Sequence, residues 1–508
     1  MLKHILSVGG FTLLSRLSGF IRDIVMAAVM GTGLVADAFV VAQRLPNHFR
    51  AIFGEGAFNS AFVPTYAAAL ETEGQEAARR LAGRLLTILL LALSAVTVLA
   101  LLFMPQLVEL LAPGFTDDPV KFALAVTLTR ITFPYLLFVT VVTLVSGVLN
   151  ANERFAAAAA APILLNVAIV AALAVAYLFP SAGHAAAWGV FAAGIAEFVL
   201  VAFDARRAGL MPVPEAIRMD KSMRRFFKIL GPAVIGSAGV QIAIFADTII
   251  ASLLPTGAVS SLYYADRLYQ LPVGVVGIAA GTVVLPAMSR RLAAGDMTGA
   301  QSAQNRAMAF TLAISAPFAV AFLLFPELIM RALFMRGAFT AESAASAGAV
   351  LAAYAVGLPA VVLIRSAVAS FYARQDTATP LIASFSGIGV NVALKLLLFR
   401  SHGAAGLAFA TAIGAWTNVG LLVLLATRRG WMTPDRVLRL TIALIAVASL
   451  LMGVAALVAS PLFAAWTSGL PMLRAEAHLA ALALFALALY AAALIGGFKA
   501  LSLPLGRG

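Results

Sequence analysis

No cysteine occurs in the 508 residues, which excludes disulfides, thiolate metal sites and cysteine nucleophiles. Charge is almost as scarce: 11% of residues are Asp, Glu, Lys or Arg, against about 25% in soluble domains. Acids are fewer than bases, 22 against 35, giving a formal charge of +13. Long polar stretches are missing too. Apolar runs of the roughly 20 residues needed to cross a bilayer recur from end to end, and no soluble domain fits between them. The five histidines, His4, His48, His184, His402 and His478, show no metal-ligand spacing. There is no Gly-rich phosphate loop ending in Lys-Ser/Thr, so nucleotide hydrolysis is not the energy source.

What is present is hydrophobic: 62% of the chain, with a mean hydropathy of +1.00. The runs are continuous rather than alternating, which predicts helices and not a transmembrane barrel. About fourteen spans of the required length centre on 8–31, 35–65, 82–104, 122–149, 159–179, 185–203, 227–253, 258–288, 307–331, 346–372, 380–399, 404–426, 438–459 and 478–498. The first is no cleaved signal peptide, because Arg16, Arg22 and Asp23 interrupt its apolar stretch where a signal needs an unbroken one.

With the N-terminus in the cytoplasm, well over half of the 35 basic residues fall in cytoplasmic loops, whereas Lys121, Arg331, Arg336, Arg400 and Arg474 fall on the opposite side. This is the positive-inside asymmetry. It predicts a multi-pass plasma-membrane protein with both termini cytoplasmic. The net charge then reflects loops facing anionic membrane lipid, and no nucleic-acid partner is implied.

The halves resemble each other at a shift of about 224 residues. "GTGLVADAFVVAQRLPNHF" (31–49) parallels "PTGAVSSLYYADRLYQLPV" (255–273), "APGFT" (112–116) parallels "RGAFT" (336–340), and Pro162 with Asn166 parallels Pro380 with Asn391. Each match is weak, but their order and offset agree. The repeat holds six spans, an even number, so the two copies enter the membrane in the same direction as parallel repeats. The predicted fold is an all-α polytopic membrane protein. An N-lobe (1–205), a basic linker (206–226) and a C-lobe (227–428) are followed by two extra helices (436–508). Apart from Arg439 at their very start, the last two spans carry no charge, as expected of helices facing lipid. Two pseudo-symmetric lobes imply a central cleft and transport by rocking.

Charge within the membrane is costly and marks wet cavities or partners. The first half carries Arg16, Arg22, Asp23, Asp37, Arg44, Arg50, Glu55, Arg130 and Glu197; the second carries Asp247, Asp266, Arg267, Arg365 and Lys395. Arg16 and Asp23 are seven residues apart, as are Asp37 and Arg44, so each pair shares a helix face. Arginine binds phosphate oxygens in bidentate fashion and keeps its proton. The cluster therefore suits a polyanionic headgroup such as a diphosphate, with the carboxylates holding the arginines when the cavity is empty. For any one residue, a salt bridge that merely fixes helix packing remains the alternative; Arg16, Arg22 and Arg50 jointly favour the ligand. Arg130, Arg365, Lys395 and Glu197 stand alone or near span ends, where long side chains snorkel.

At "SRLSGFIRD", "ADAF", "LPNHFRAIFGEGAF" and "YYADRLYQLP" the chain resembles the MurJ/MviN family of lipid II flippases, within the multidrug/oligosaccharidyl-lipid/polysaccharide exporter superfamily. The resemblance covers essentially the whole chain. It implies a flippase, not an enzyme, that moves the undecaprenyl-diphosphate-linked peptidoglycan precursor from the inner to the outer leaflet of the bacterial plasma membrane. The family's essential arginines fall on Arg16, Arg22, Arg50 and Arg267, its acidic position on Asp37, and its "EGAF" acid on Glu55. Asp23 joins them as a substrate-site carboxylate. Asp247 matches an acidic position that binds sodium in some relatives, and Asn391 is the partner considered for it. The resemblance gives the two extra helices a groove for the polyprenyl tail. It implies no cofactor beyond a coupling sodium ion or proton, a monomer, and other cell-wall synthesis proteins as possible partners.

Two other readings stay open. A multidrug-type cation antiporter shares the two-lobe build, but its cavity should be rich in acids and aromatics. A membrane-embedded enzyme acting on polyprenyl phosphates needs an acid, base or metal constellation, and none is visible. The arginine-rich site also predicts that membrane potential is the main driving force, since one charge crossing 100 mV is worth about 2.3 kcal/mol.

Overall fold

A computed structural model describes residues 2–50, 57–470 and 472–501, and Glu55 lies outside them. The described residues form helices, with no β-strand among them. In order these are α1 (Leu2–Met30), α2 (Leu34–Arg50), α3 (Ala57–Glu73), α4 (Gln75–Leu102), α5 (Met104–Leu111), α6 (Pro119–Thr132), α7 (Tyr135–Ala151), α8 (Ala156–Ala174) and α9 (Ala182–Arg207). There follow α10 (Lys221–Ser252), α11 (Ala258–Ala293), α12 (Met297–Leu324), α13 (Pro326–Phe334), α14 (Ala341–Tyr372), α15 (Ala378–Arg428), α16 (Arg436–Ser468) and α17 (Arg474–Ala500).

Among the described residues nine helical stretches are long and apolar enough to cross a membrane: α4, α6 with α7, α8, α9, α12, α14, α15, α16 and α17. The 51-residue α15 takes the place of two predicted spans. It breaks between them at Gly403, whose φ of 52° is a left-handed conformation that glycine adopts without a Cβ penalty. The helices α1, α2 with α3, α10 and α11 occupy the remaining predicted positions, and they carry most of the intramembrane charge.

The chain divides into two compact units, Met1–Ser260 and Ser261–Gly508. The repeat had placed α10 at the head of the second lobe, with the boundary in the 206–226 linker. Instead α10 belongs to the first unit, and the physical reason is its packing. Phe226 packs edge-on to Phe58 at 5.6 Å, His48 and Phe245 lie 4.4 Å apart, and Ser252 Oγ accepts from Gly114 N at 3.2 Å. Phe58, Phe62, Tyr66, Leu85, Val145 and Phe226 centre one buried cluster of this unit.

The same local devices recur in each unit. Glu153 and Gln375, 222 residues apart, both sit at positive φ without being glycine. Each closes a helix end by the same reach-back bond: Arg154 N to Leu149 O, and Asp376 N to Phe371 O. The loop after α7 is then tied to the end of α9 by Arg154 and Asp204. The loop after α14 is tied to the end of α15 by Asp376 and Arg429 at 2.6 Å. The pair is conserved in place and reversed in sign. Helix-closing bonds at Gly209 and Gly430 repeat likewise, Leu210 N to Ala205 O and Trp431 N to Ala426 O.

Ion pairs join helices and loops within each unit. Among the described residues Arg84–Asp220, Arg154–Asp204 and Arg429–Asp376 join segments that the sequence reading assigns to the basic side. Lys121–Asp37 and Arg336–Glu476 join segments that it assigns to the other.

Candidate functional site

The first unit gathers the charged side chains of α1 and α2. Arg22 is 9% exposed and Asp23 3%. Arg22 donates from Nε (3.0 Å) and Nη2 (2.7 Å) to Asp23 Oδ1, and from Nη1 to Asn166 Oδ1 at 3.0 Å. Asn166, on α8, in turn donates to Ser15 O at 3.1 Å and Ser18 Oγ at 2.9 Å. A Cβ at Gly19 would meet this amide at ordinary contact distance, and the two hydrogen bonds show that α8 presents Asn166 directly to α1. The result is a guanidinium with its fork fixed by a neighbouring carboxylate and an amide. An incoming phosphate could replace the carboxylate without moving the arginine, because the fork matches either anion.

Arg16 is exposed and has no hydrogen-bonding or ionic partner among the described residues. The expected pairing of Arg16 with Asp23 is therefore not formed. Seven residues share a face but are about 10.5 Å apart along the axis at 1.5 Å per residue, beyond easy reach, and Asp23 instead takes the adjacent Arg22.

The second seven-residue pair also separates. Asp37 is fully buried and accepts four bonds. Lys121 Nζ (2.9 Å) and Gly257 N (2.8 Å) donate to Oδ2; Ser260 N (2.8 Å) and Ser260 Oγ (2.7 Å) donate to Oδ1. Asp37 thus caps the start of α11, where a helix end offers unsatisfied N–H groups and positive dipole. Lys121 lies over the Phe115 ring, 4.1 Å from its centroid. Arg44, the expected partner of Asp37, donates to Thr248 Oγ1 at 3.0 Å. One turn on, His48 Nδ1 meets Gln241 Oε1 at 2.9 Å. Both contacts fasten α2 to α10.

Arg50 closes α2 as a half-buried residue. Asp247 is half-buried on α10. Arg267 belongs to the second unit, half-buried on α11, its guanidinium over the Tyr263 ring at 4.6 Å. Asn391, also in the second unit, accepts from Thr411 Oγ1 at 3.5 Å. The two residues considered for an ion thus fall in different units.

Arg130 and Arg365 are exposed, in keeping with snorkelling. Glu197 and Lys395 are not: each is 3% exposed, and Tyr135 Oη donates to Glu197 at 3.4 Å. Sequence reasoning missed Lys121, Asn166, Thr248 and Ser260 as partners. Asn166 carried a signal, being an amide inside an apolar span. Lys121 did not, since a basic residue in a loop reads as a topology signal.

The family model described as lipid II flippase MurJ matches residues 26–476. A probable lipid II flippase MurJ of Rhizobium meliloti is 44% identical over 464 residues, covering 90% of this chain and 86% of its own. The lipid II flippase MurJ of Burkholderia cenocepacia is 34% identical, covering 86% and 85%. A solved lipid II flippase MurJ in an inward closed conformation superposes with a TM-score of 0.80 at 23% identity, covering 97% of this chain and 99% of its own. A multidrug MATE transporter of the MOP superfamily shares the fold at a TM-score of 0.66 and 14% identity, over 82% and 97%. With a family model spanning most of its length and relatives this similar, the chain belongs to the lipid II flippase MurJ family.

Proposed function

We propose that the protein is a lipid II flippase of the bacterial plasma membrane, moving the diphosphate-linked precursor from the cytoplasmic to the opposite leaflet. Family membership supports the substrate. The observation that carries the chemistry is Arg22, buried and presented by Asp23 and Asn166 as a fixed fork whose anion can be exchanged. Arg16, exposed six residues earlier, adds a second guanidinium. Arg50 and Arg267 complete the proposed set, with Asp37 and Glu55 as its acidic members.

In this reading some fourteen spans, with both termini cytoplasmic, form two lobes that rock about the headgroup. The polyprenyl tail stays in lipid along α16 and α17, whose outward side chains include Val458 (70% exposed) and Leu484 (72%). Membrane potential drives the headgroup outward and draws the cationic empty site back. Asp247 is the residue proposed to hold a coupling sodium ion or proton, with Asn391 of the second unit as a separate candidate. The protein works as a monomer, and other cell-wall synthesis proteins are its proposed partners.

The test is replacement. Cells depleted of their own lipid II transporter should grow on this chain and expose lipid II on the outer leaflet. Growth on the R22A/R50A variant alone would remove the arginine site. Efflux of organic cations without lipid II exposure would favour the antiporter.

A further inference from the structure

A cavity of about 690 Å³ opens among α4, α7, α9 and the segment after α9, within the usual range of ligand pockets, roughly 300–1,000 Å³. It is remote in sequence from the arginines of α1 and α2. Its two charged lining residues are Arg79 and Arg206, and no carboxylate lines it. Both arginines are exposed and neither forms an ion pair among the described residues. Arg79 stands near the start of α4 and Arg206 near the end of α9, so both occupy helix ends on the basic side. The rest of the lining, including Leu90, Phe138 and Phe198, is almost wholly apolar. Leu90 lies eleven residues beyond Arg79, about 16 Å deeper along the helix at 1.5 Å per residue, and Phe198 lies eight residues before Arg206, about 12 Å deeper. The cavity is therefore cationic at the membrane surface and hydrocarbon-like below it.

Its remaining wall is the irregular segment 209–214. Pro212 and Pro214 line the cavity and contribute no N–H there. The segment is held in place from outside. Thr87 Oγ1 donates to Glu215 O at 2.8 Å, Arg84 pairs with Asp220, and Gly83 lies so close to the Val213 carbonyl that no side chain fits between them.

We infer that this cavity is a binding site for one anionic phospholipid of the adjacent leaflet, its phosphate held by Arg79 and Arg206 and an acyl chain lying along Leu90, Phe138 and Phe198. Two guanidiniums without a carboxylate select an anion, and arginine suits a phosphate in particular. The vertical order of charge and hydrocarbon is that of a phospholipid, and it does not fit a soluble anion or a neutral apolar ligand. A lipid seated there would brace the segment joining α9 to α10. The site shares no residue with the arginine site of α1 and α2 and stands whether or not the substrate is lipid II.

The test uses the full-length protein in detergent, with native mass spectrometry. It is incubated with phosphatidylglycerol or with phosphatidylcholine of identical acyl chains. The wild type should hold one phosphatidylglycerol under activation that strips phosphatidylcholine. R79Q/R206Q should weaken that binding by about tenfold or more, the scale of losing charged hydrogen bonds. R218Q/R225Q, altering exposed arginines outside the cavity, should leave it unchanged. L90W, which fills the apolar wall without touching charge, should also lower retention, and it decides the matter should R79Q/R206Q fail to fold. Equal retention of the two lipids by the wild type, preference undiminished in R79Q/R206Q, or retention unaffected by L90W would each overturn the assignment.

Discussion

Substituting Asn for Asp37 separates a ligand role from a structural one. Asp37 is fully buried and the Lys121 side chain is 4% exposed. Four donors converge on the two oxygens, two on each. An amide of the same shape has one accepting oxygen, so two donors are left facing an NH₂, and Lys121 keeps a buried charge with no counter-ion. Removing one partner of a buried ion pair costs about 3–5 kcal/mol. D37N should therefore be destabilised by that order. K121M should cost less, about 1–3 kcal/mol, because the carboxylate keeps Gly257 N, Ser260 N and Ser260 Oγ at the start of α11. The double variant D37N/K121M should recover part of the loss. The assay is unfolding of purified protein in mixed micelles, followed by tryptophan fluorescence and analysed as a double-mutant cycle. Additivity within about 0.5 kcal/mol would refute the buried node. Transport adds a second readout. If Asp37 serves only the fold, D37N/K121M should transport in proportion to its folded fraction. A stable double variant that still cannot transport assigns Asp37 to the substrate.

Further expectations concern other parts of the chain. R22A should abolish transport in a folded protein and R22K restore only part, because an ammonium lacks the fork; full activity in R22A contradicts the site, and N166A should lower activity by releasing Arg22 Nη1. The Asp376 carboxyl is held down to about 2 from an ordinary 3.8, chiefly by the Thr379 hydroxyl and N–H and then by Arg429. Its stabilisation is therefore complete above about pH 4 and fades as pH falls toward 2, so the melting difference between wild type and D376N should be flat from pH 7 to 4 and shrink below. G83V should push away the Val213 carbonyl and free the segment 209–220, read as faster tryptic cleavage at Arg218. Deleting residues 436–508 should leave a folded core that no longer transports; undiminished flipping would remove the tail groove.

The apolar helices were legible because crossing a bilayer takes a run of roughly 20 apolar residues, and the break at Gly403 falls between two such runs. The repeat was legible for the same reason that Glu153 and Gln375 recur: both copies must close the same helix ends. The placement of α10 was not legible, because packing of Phe226 on Phe58 depends on side chains far apart in sequence. Helical spacing brought Arg16 to the face of Asp23 and Asp37 to that of Arg44. It could not say that each acid would find a better-placed cation, Arg22 next door and Lys121 on α6. In lipid, helices associate through close packing and polar contacts between them. The partners Asn166, Thr248 and Ser260 are therefore products of tertiary structure, and no spacing within one helix announces them.

The central claim is that this protein carries a diphosphate headgroup on fixed arginines. It is tested most directly in vesicles holding the purified protein and headgroup-labelled lipid II, under a potassium diffusion potential set with valinomycin. The account predicts transfer toward the positive side by the wild type, slowing as the potential is clamped to zero, and none by R22A at any potential. Transfer by R22A at the wild-type rate would contradict it.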